Sequence, residues 1–415
     1  MNRSQNSRRS FLRNSLFAAG AASVATLQTS PSQVMAQSSE GTPVLAPPMT
    51  SEPINIGSNT LSEGPLKAAV EAAARQLPLS GSYGGVAASS FKPTLARQLG
   101  VPEDYLYISP GSGPALGWAV QSFVSPTASL VSADLSYEAG WRAALKKGAE
   151  VIKVPQNSDW SHDVRGMCAA DPKAGVLYIC NPNNPTGGIT SRADLEYALA
   201  NKPEGAVLLV DEAYIHFSDN AVSAVDLTMK GDVIVLRTFS KLYGMAGLRL
   251  GYAVARPELL EKIKLLAIDD VSSTTYAAGL ASITDENLVP QRRAYYGKVR
   301  RDTVAWLEAQ GYECSVSESN CFIVNVNEDG REFKRKLATY GINIGRTWVG
   351  YENWPRLTVG TEAEMAKFRE AFTAVMAGKL GPLPMPEPRV AMLDGRFEDA
   401  IGAEHGLYEL GSRIC

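Results

Sequence analysis

Residues 177–214 read LYICNPNNPTGGITSRADLEYALANKPEGAVLLVDEAY, and the order of their parts decides the fold class. LYIC at 177–180 is a short apolar run of strand type, and the Asn, Pro and Gly residues of 181–188 form a turn string. Ser191 with Asp194 three residues later is the pattern of a capped helix start, and a second apolar strand, AVLLVD, follows at 206–211. VIVLRT at 233–238 has the same strand character. Strand, helix and strand at this spacing imply an α/β class with a mostly parallel sheet and helices on both faces.

Further along, the pattern changes. A helix rich in Arg and Lys (QRRAYYGKVRRDTVAWLEAQ, 291–310) precedes the strands FIVNV and RLTVG, the latter at 356–360, which suggests a smaller α+β domain. The organisation expected is a spacer over 37–53, an arm or small-domain part over 54–80, a large domain over 81–290, a small domain over 291–379 and a tail over 380–415. A proline-rich break, GPLPMPEP at 381–388, opens that tail.

Residues 1–36 are set apart as a signal peptide. Four arginines (Arg3, Arg8, Arg9, Arg13) precede the weakly apolar LFAAGAASVATL, and small residues lead to a cut after Ala36. SRRSFLRNS at 7–15 is similar to the twin-arginine (Tat) export signal. The apolar run is far shorter than the roughly 20 residues a membrane-spanning helix needs, so no stable anchor is expected. Export to the periplasm or beyond is the expected location. The charge balance, 40 basic against 43 acidic residues for a net of -3, contains no long basic run and implies neither nucleic acid nor an anionic membrane as partner. Five cysteines without CxxC or Cys/His spacing point to neither a disulfide framework nor a metal site, and Cys314 and Cys321 are expected as free core thiols.

The chemistry gathers in a few strings. TFSKLYGMAGLRLGY at 238–252 sets Lys241 just after a strand, between the hydroxyls Thr238 and Ser240 and Arg249 eight residues on. A Ser-Lys pair alone is common on protein surfaces. Here it follows CNPNNPTGG at 180–188 and DEAYIHF at 211–217, and the three in this order resemble the class I/II aminotransferases, especially the histidinol-phosphate aminotransferase group. The likeness runs from about Ile54 to about Lys379.

That resemblance implies the aspartate aminotransferase-like fold of pyridoxal 5'-phosphate (PLP) enzymes, with a homodimer. It also implies roles. Lys241 would form the imine with PLP and then act as acid and base, moving the proton between the substrate's α-carbon and the cofactor's C4'. Asp211 would pair with the pyridinium nitrogen, and Tyr214 and Asn184 would donate to the ring oxygen. Ser112 and Gly113, in GSGPA at 111–115, would open a phosphate cradle at a helix N-terminus, completed by Ser240 and Arg249 beside Thr238. Tyr83 in GSYGG would reach the neighbouring subunit's phosphate. Tyr137 would stack on the ring, with core packing as the other reading of that aromatic. Arg356 would bind the substrate carboxylate at two points, and Asn184 would contribute to substrate binding.

Three departures touch the substrate. In GINIGRTW, the position where histidinol-phosphate enzymes carry an arginine for the substrate phosphate is Gly345, with Arg346 one residue late; in a strand that shift turns a side chain to the other face. SNTLSEGP at 58–65 has Thr60 and Leu61 in place of the Glu and Asn of that group. Asp269 and Asp270 are either a solvated acidic turn or, with Glu63, a match for a cationic substrate side chain. The expected activity is transamination of a free amino acid or related amine, by two half-reactions, with a keto acid as partner. The alternatives are another PLP reaction on the same scaffold (an oxygen-dependent arginine-type oxidase, a decarboxylase, a racemase or a cyclase) and a non-catalytic binding or regulatory protein.

Overall fold

The computed structural model describes residues 53–386 except 269. The export signal, the spacer up to residue 52, Asp269 and the tail beyond 386 lie outside the described residues.

A seven-stranded sheet forms the larger part. Its strands are β2 (Leu106–Ser109), β3 (Leu130–Ala133), β4 (Val151–Val154), β5 (Val176–Cys180), β6 (Val207–Asp211), β7 (Val233–Thr238) and β8 (Gly251–Val254), in the order β2-β8-β7-β6-β5-β3-β4. β3 through β7 pair in parallel, and β8 alone runs against its neighbours β7 and β2. Helices cover both faces, so the central strands are apolar throughout instead of alternating apolar with polar. Successive side chains still go to opposite faces. Leu177, Ile179, Leu208 and Val210 join one buried cluster, whereas Tyr178, Cys180, Val207 and Leu209 join the other.

The connecting helix begins as its sequence suggests. Ser191 caps it by accepting the Asp194 N–H at 3.1 Å, and the helix spans Arg192–Asn201. Three helices matter for the site or its surroundings: α1 (Lys67–Gln76), α2 (Val86–Leu99) and α3 (Ser112–Phe123).

The remaining strands form two small sheets. β1 (Ile54–Ile56) pairs in parallel with β10 (Ile342–Ile344), and β9 (Cys321–Ile323) pairs antiparallel with β11 (Arg356–Thr358). The basic helix runs Leu288–Ala309, and a third apolar cluster packs beneath it. Its centre is Phe372, which meets Trp306, Tyr312, Phe333 and Phe368 at ring centroid distances of 4.9 to 5.6 Å. FIVNV pairs over a shorter span than its apolar run suggests, because Val324 makes only an isolated bridge to Cys314. Cys314 and Cys321 are separate free thiols.

One residue of the DEAY string serves architecture. Glu212 is fully buried and accepts from Arg237 Nε at 2.8 Å, from Ser223 Oγ at 3.0 Å and from the Ala224 N–H at 2.6 Å. It thereby ties the end of β6 to β7 and to the loop at 223–224. Glu212→Ala would strand the Arg237 guanidinium, itself 9% exposed, without its counter-charge. The expected loss is about 3 to 5 kcal/mol, read as a lowered urea midpoint of the cofactor-loaded protein; an unchanged midpoint would remove this role.

Candidate active site

Parallel pairing sets Cys180 opposite Asp211 and Asp211 opposite Leu236, so the carboxyl ends of β5, β6 and β7 lie side by side. Ligands of open α/β sheets bind at that edge. The strings that follow these strands converge there on a cavity of about 300 Å³. Its lining includes Ser112, Gly113, Tyr137, Asn184, Asp211, Tyr214, Thr238, Ser240, Lys241, Arg249 and Arg356. Every site residue anticipated from sequence is therefore in one place, apart from Tyr83. That side chain is fully exposed just before α2 and is not part of the lining.

Lys241 follows β7. Burial, aided by the charge of Arg356, draws its ammonium pKa from 10.5 down to about 8, so about a tenth is neutral amine at pH 7, far more than at the ordinary value. Its Nζ lies 5.5 Å from the centre of the Tyr214 ring. Asp211, at the end of β6, is 2% exposed and burial lifts its pKa to about 6. It accepts the Ala213 N–H at 3.1 Å and the Tyr178 hydroxyl at 3.3 Å. A carboxylate held this way is suited to a cationic ring nitrogen, whose charge would favour its ionised form.

The anion cradle is built from backbone, two hydroxyls and one arginine. α3 starts at Ser112 directly after Gly111, whose φ of 96° is in the region that glycine tolerates. A Cβ on Gly111 would come within 2.3 Å of Arg249 Nη2, so the guanidinium occupies the space that the missing side chain leaves. Arg249 donates to Ala246 O at 2.9 Å and approaches Ser240 Oγ at 3.4 Å, and Ser240 stands 3.0 Å from Thr238 Oγ1. Free N–H groups at a helix start, two hydroxyls and a guanidinium form a set that matches a phosphate.

Asn184 sits in the turn after β5, which is clamped from outside. Gly187 adopts φ 76°, and a Cβ there would meet Ser317 Oγ at 2.0 Å. Ser315 Oγ donates to Thr186 O at 2.7 Å. Arg356 of β11 donates to Asn184 Oδ1 at 2.9 Å and to Gly57 O at 2.6 Å, while its buried Nε has no protein partner. Arg356 is among the residues lining the cavity, where a guanidinium suits a carboxylate ligand. Tyr137 both lines the cavity and packs against the core cluster beside α3. Amine, carboxylate, phenol, amide and phosphate cradle thus fit pyridoxal phosphate as a set.

The substrate departures resolve differently. A Cβ on Gly345 would lie 2.6 Å from Arg356 O and 3.2 Å from its Nε, so Arg356 packs directly over this glycine. Arg346 points elsewhere: it pairs with Glu138 and lies 5.0 Å from the centre of the Trp348 ring. Neither lines the cavity. Asp270 is exposed, and Glu63 accepts the Tyr296 hydroxyl at 2.7 Å; both are outside the lining as well.

Two residues escaped the sequence reading. Asn59 lines the cavity and donates to the Tyr214 hydroxyl at 2.9 Å. Tyr178 holds Asp211 from behind, and the only hint of it is a polar-tipped residue inside the apolar run LYIC.

Among known proteins, the family described as aminotransferase class I and II matches residues 51–372. A histidinol-phosphate aminotransferase of Moorella thermoacetica is 32% identical over 294 residues, 69% of this chain and 76% of the relative. An aromatic amino acid aminotransferase of Cutibacterium acnes is 29% identical over 78% of this chain and 93% of its own length. The histidinol-phosphate aminotransferase of Sinorhizobium meliloti, solved in complex with pyridoxal-5'-phosphate, superposes with a TM-score of 0.72 at 24% identity, covering 79% of this chain and 91% of that one.

Proposed function

The chain belongs to the class I and II aminotransferases, enzymes that use pyridoxal phosphate, and within that family we propose that it is an exported member acting on a free amino acid or related amine. The observation that carries this reading is the shared cavity of Lys241, Asp211 and Arg356, with the lysine amine drawn toward neutrality by burial.

Bound there, pyridoxal phosphate supplies an electron sink for the pair left when the substrate's α-carbon loses its proton. Lys241 Nζ, its pKa lowered to about 8, would be the covalent anchor for the cofactor and then the base that takes the α-proton and delivers it to the cofactor's C4'. Asp211 keeps the ring nitrogen protonated, supported by Tyr178. Asn184 and Tyr214 would hold the ring oxygen, and Tyr137 would cover the ring. Ser112, Gly113, Ser240 and Arg249, with Thr238 behind Ser240, would hold the phosphate. Arg356, braced by Asn184 and Gly57, receives the α-carboxylate.

A free amino acid is favoured over a phosphorylated substrate by the side chains beyond that carboxylate. The cationic residues of the lining are Lys241, Arg249 and Arg356, all engaged in the roles above, and Arg346 is paired with Glu138 outside it. Export rests on the twin-arginine string at residues 7–15. A dimer in which Tyr83 reaches the neighbouring site is supported by the apolar surface around it, since Leu77, Leu79, Tyr83 and Val86 are all exposed from the end of α1 to the first residue of α2.

The test of the reaction uses the chain from Gln37, offered single amino acids with and without a keto acid. Turnover that requires the keto acid is expected, and Lys241→Ala is expected to lower it by at least about a thousandfold. Turnover without an acceptor, or with oxygen consumed, would replace transamination with an oxidase, lyase or racemase reaction. For location, Arg8→Lys with Arg9→Lys is expected to leave the protein in the cytoplasmic fraction; unchanged export would remove the twin-arginine assignment.

A further inference from the structure

Asn59 is held from three sides. Its backbone takes the left-handed φ of 52°, which asparagine tolerates better than most residues, and its side chain is 1% exposed. The Asn59 N–H donates to Thr358 Oγ1 at 2.9 Å, and the Thr358 hydroxyl donates back to Asn59 Oδ1 at 2.9 Å. With Oδ1 so engaged, Nδ2 faces the Tyr214 oxygen at 2.9 Å and the Cys321 sulfur at 3.2 Å.

A second amide meets the same phenol. An arginine has no acceptor, so the 2.9 Å contact with Arg356 requires that Asn184 present Oδ1 to it. Asn184 Nδ2 is then turned to the Tyr214 oxygen, 3.3 Å away. A phenol oxygen offers two lone-pair directions and one proton. Two amide donors fill the former, and the O–H bond must then point away from both.

We propose that Asn59 is a positioning residue: by donating to Tyr214, together with Asn184, it forces the tyrosine's proton into the cavity, toward the ring oxygen of the bound cofactor. The inference rests on the reading of Tyr214 as the donor to that oxygen. The proton is available to be aimed because burial holds the phenol well above its ordinary pKa of 10. The ionisable groups around Tyr214 are the thiols of Cys321 and Cys180 and the cations Arg356 and Lys241; Asn59 also donates to the Cys321 sulfur at 3.2 Å, so the Tyr214→Phe background is what separates an effect through the phenol from one through the thiol.

The variant to make is Asn59→Gly, which keeps the left-handed backbone, adds no charge and removes the donor. The measurement is the pH midpoint of the bound cofactor's absorbance change, in the wild type, Asn59→Gly, Tyr214→Phe and the double variant. Loss of an aimed donor weakens the stabilisation of the anionic ring oxygen, so the midpoint in Asn59→Gly is expected to rise by about one pH unit. In the Tyr214→Phe background the same substitution is expected to add nothing, because its effect passes through the phenol. An unmoved midpoint in Asn59→Gly, or an equal rise in both backgrounds, overturns the proposal. Should Asn59→Gly not hold the cofactor, Thr358→Val decides: it frees the Asn59 amide to turn over, and a midpoint that stays put there also overturns it. A wild type without bound-cofactor absorbance sinks the cofactor reading itself, an outcome distinct from a loaded enzyme whose midpoint does not respond.

Discussion

Parallel pairing of β5, β6 and β7 in a single register is the constraint on which the site depends. It sets Cys180, Asp211 and Leu236 in one row, so the turn after β5, the DEAY string after β6 and the lysine string after β7 all leave the sheet at the same edge. A slip of β6 by one residue against its neighbours would turn Asp211 to the other face of the sheet and away from the cavity. The strands are apolar on both faces and would tolerate a slip, so the Glu212–Arg237 pair between β6 and β7 is what helps hold that register. The residues that prevent slippage are thus neighbours in sequence of those that carry the chemistry.

From this edge, hydrogen bonds reach into the small sheets. Arg356 on β11 binds Asn184 on the large sheet's turn and Gly57 just after β1, and two residues further Thr358 fixes Asn59 against Tyr214. The arginine assigned to the substrate carboxylate and the tyrosine assigned to the cofactor ring therefore share partners. A ligand that pulls on Arg356 acts on Asn184, and Asn184 in turn touches Tyr214. In the proposed roles, substrate contact and cofactor electronics would be connected through the Asn184 amide and the Tyr214 phenol.

How much of this was legible before the fold was known follows from contact range. Lys241, Asp211, Asn184, Tyr214, Ser112 and Arg249 lie in short strings beside a strand end, a turn glycine or a helix start, their roles came from the family resemblance of those strings, and all of them line the cavity. Arg356 was legible only through family resemblance, since a lone arginine opening a short strand has no local signature. Asn59 was missed because its partners, Tyr214 and Thr358, are 155 and 299 residues away. Arg346 illustrates the opposite limit: its offset from Gly345 is visible in sequence, but its engagement by Glu138 depends on how β10 is placed against the residues after Tyr137.

The central claim is that this cavity holds pyridoxal phosphate on Lys241, and the most direct measurement is borohydride reduction of the loaded enzyme followed by peptide mass spectrometry. The account predicts a reduced phosphopyridoxyl group on the peptide carrying Lys241. A modification on a different lysine, or bound cofactor that leaves no lysine modified after reduction, would contradict it.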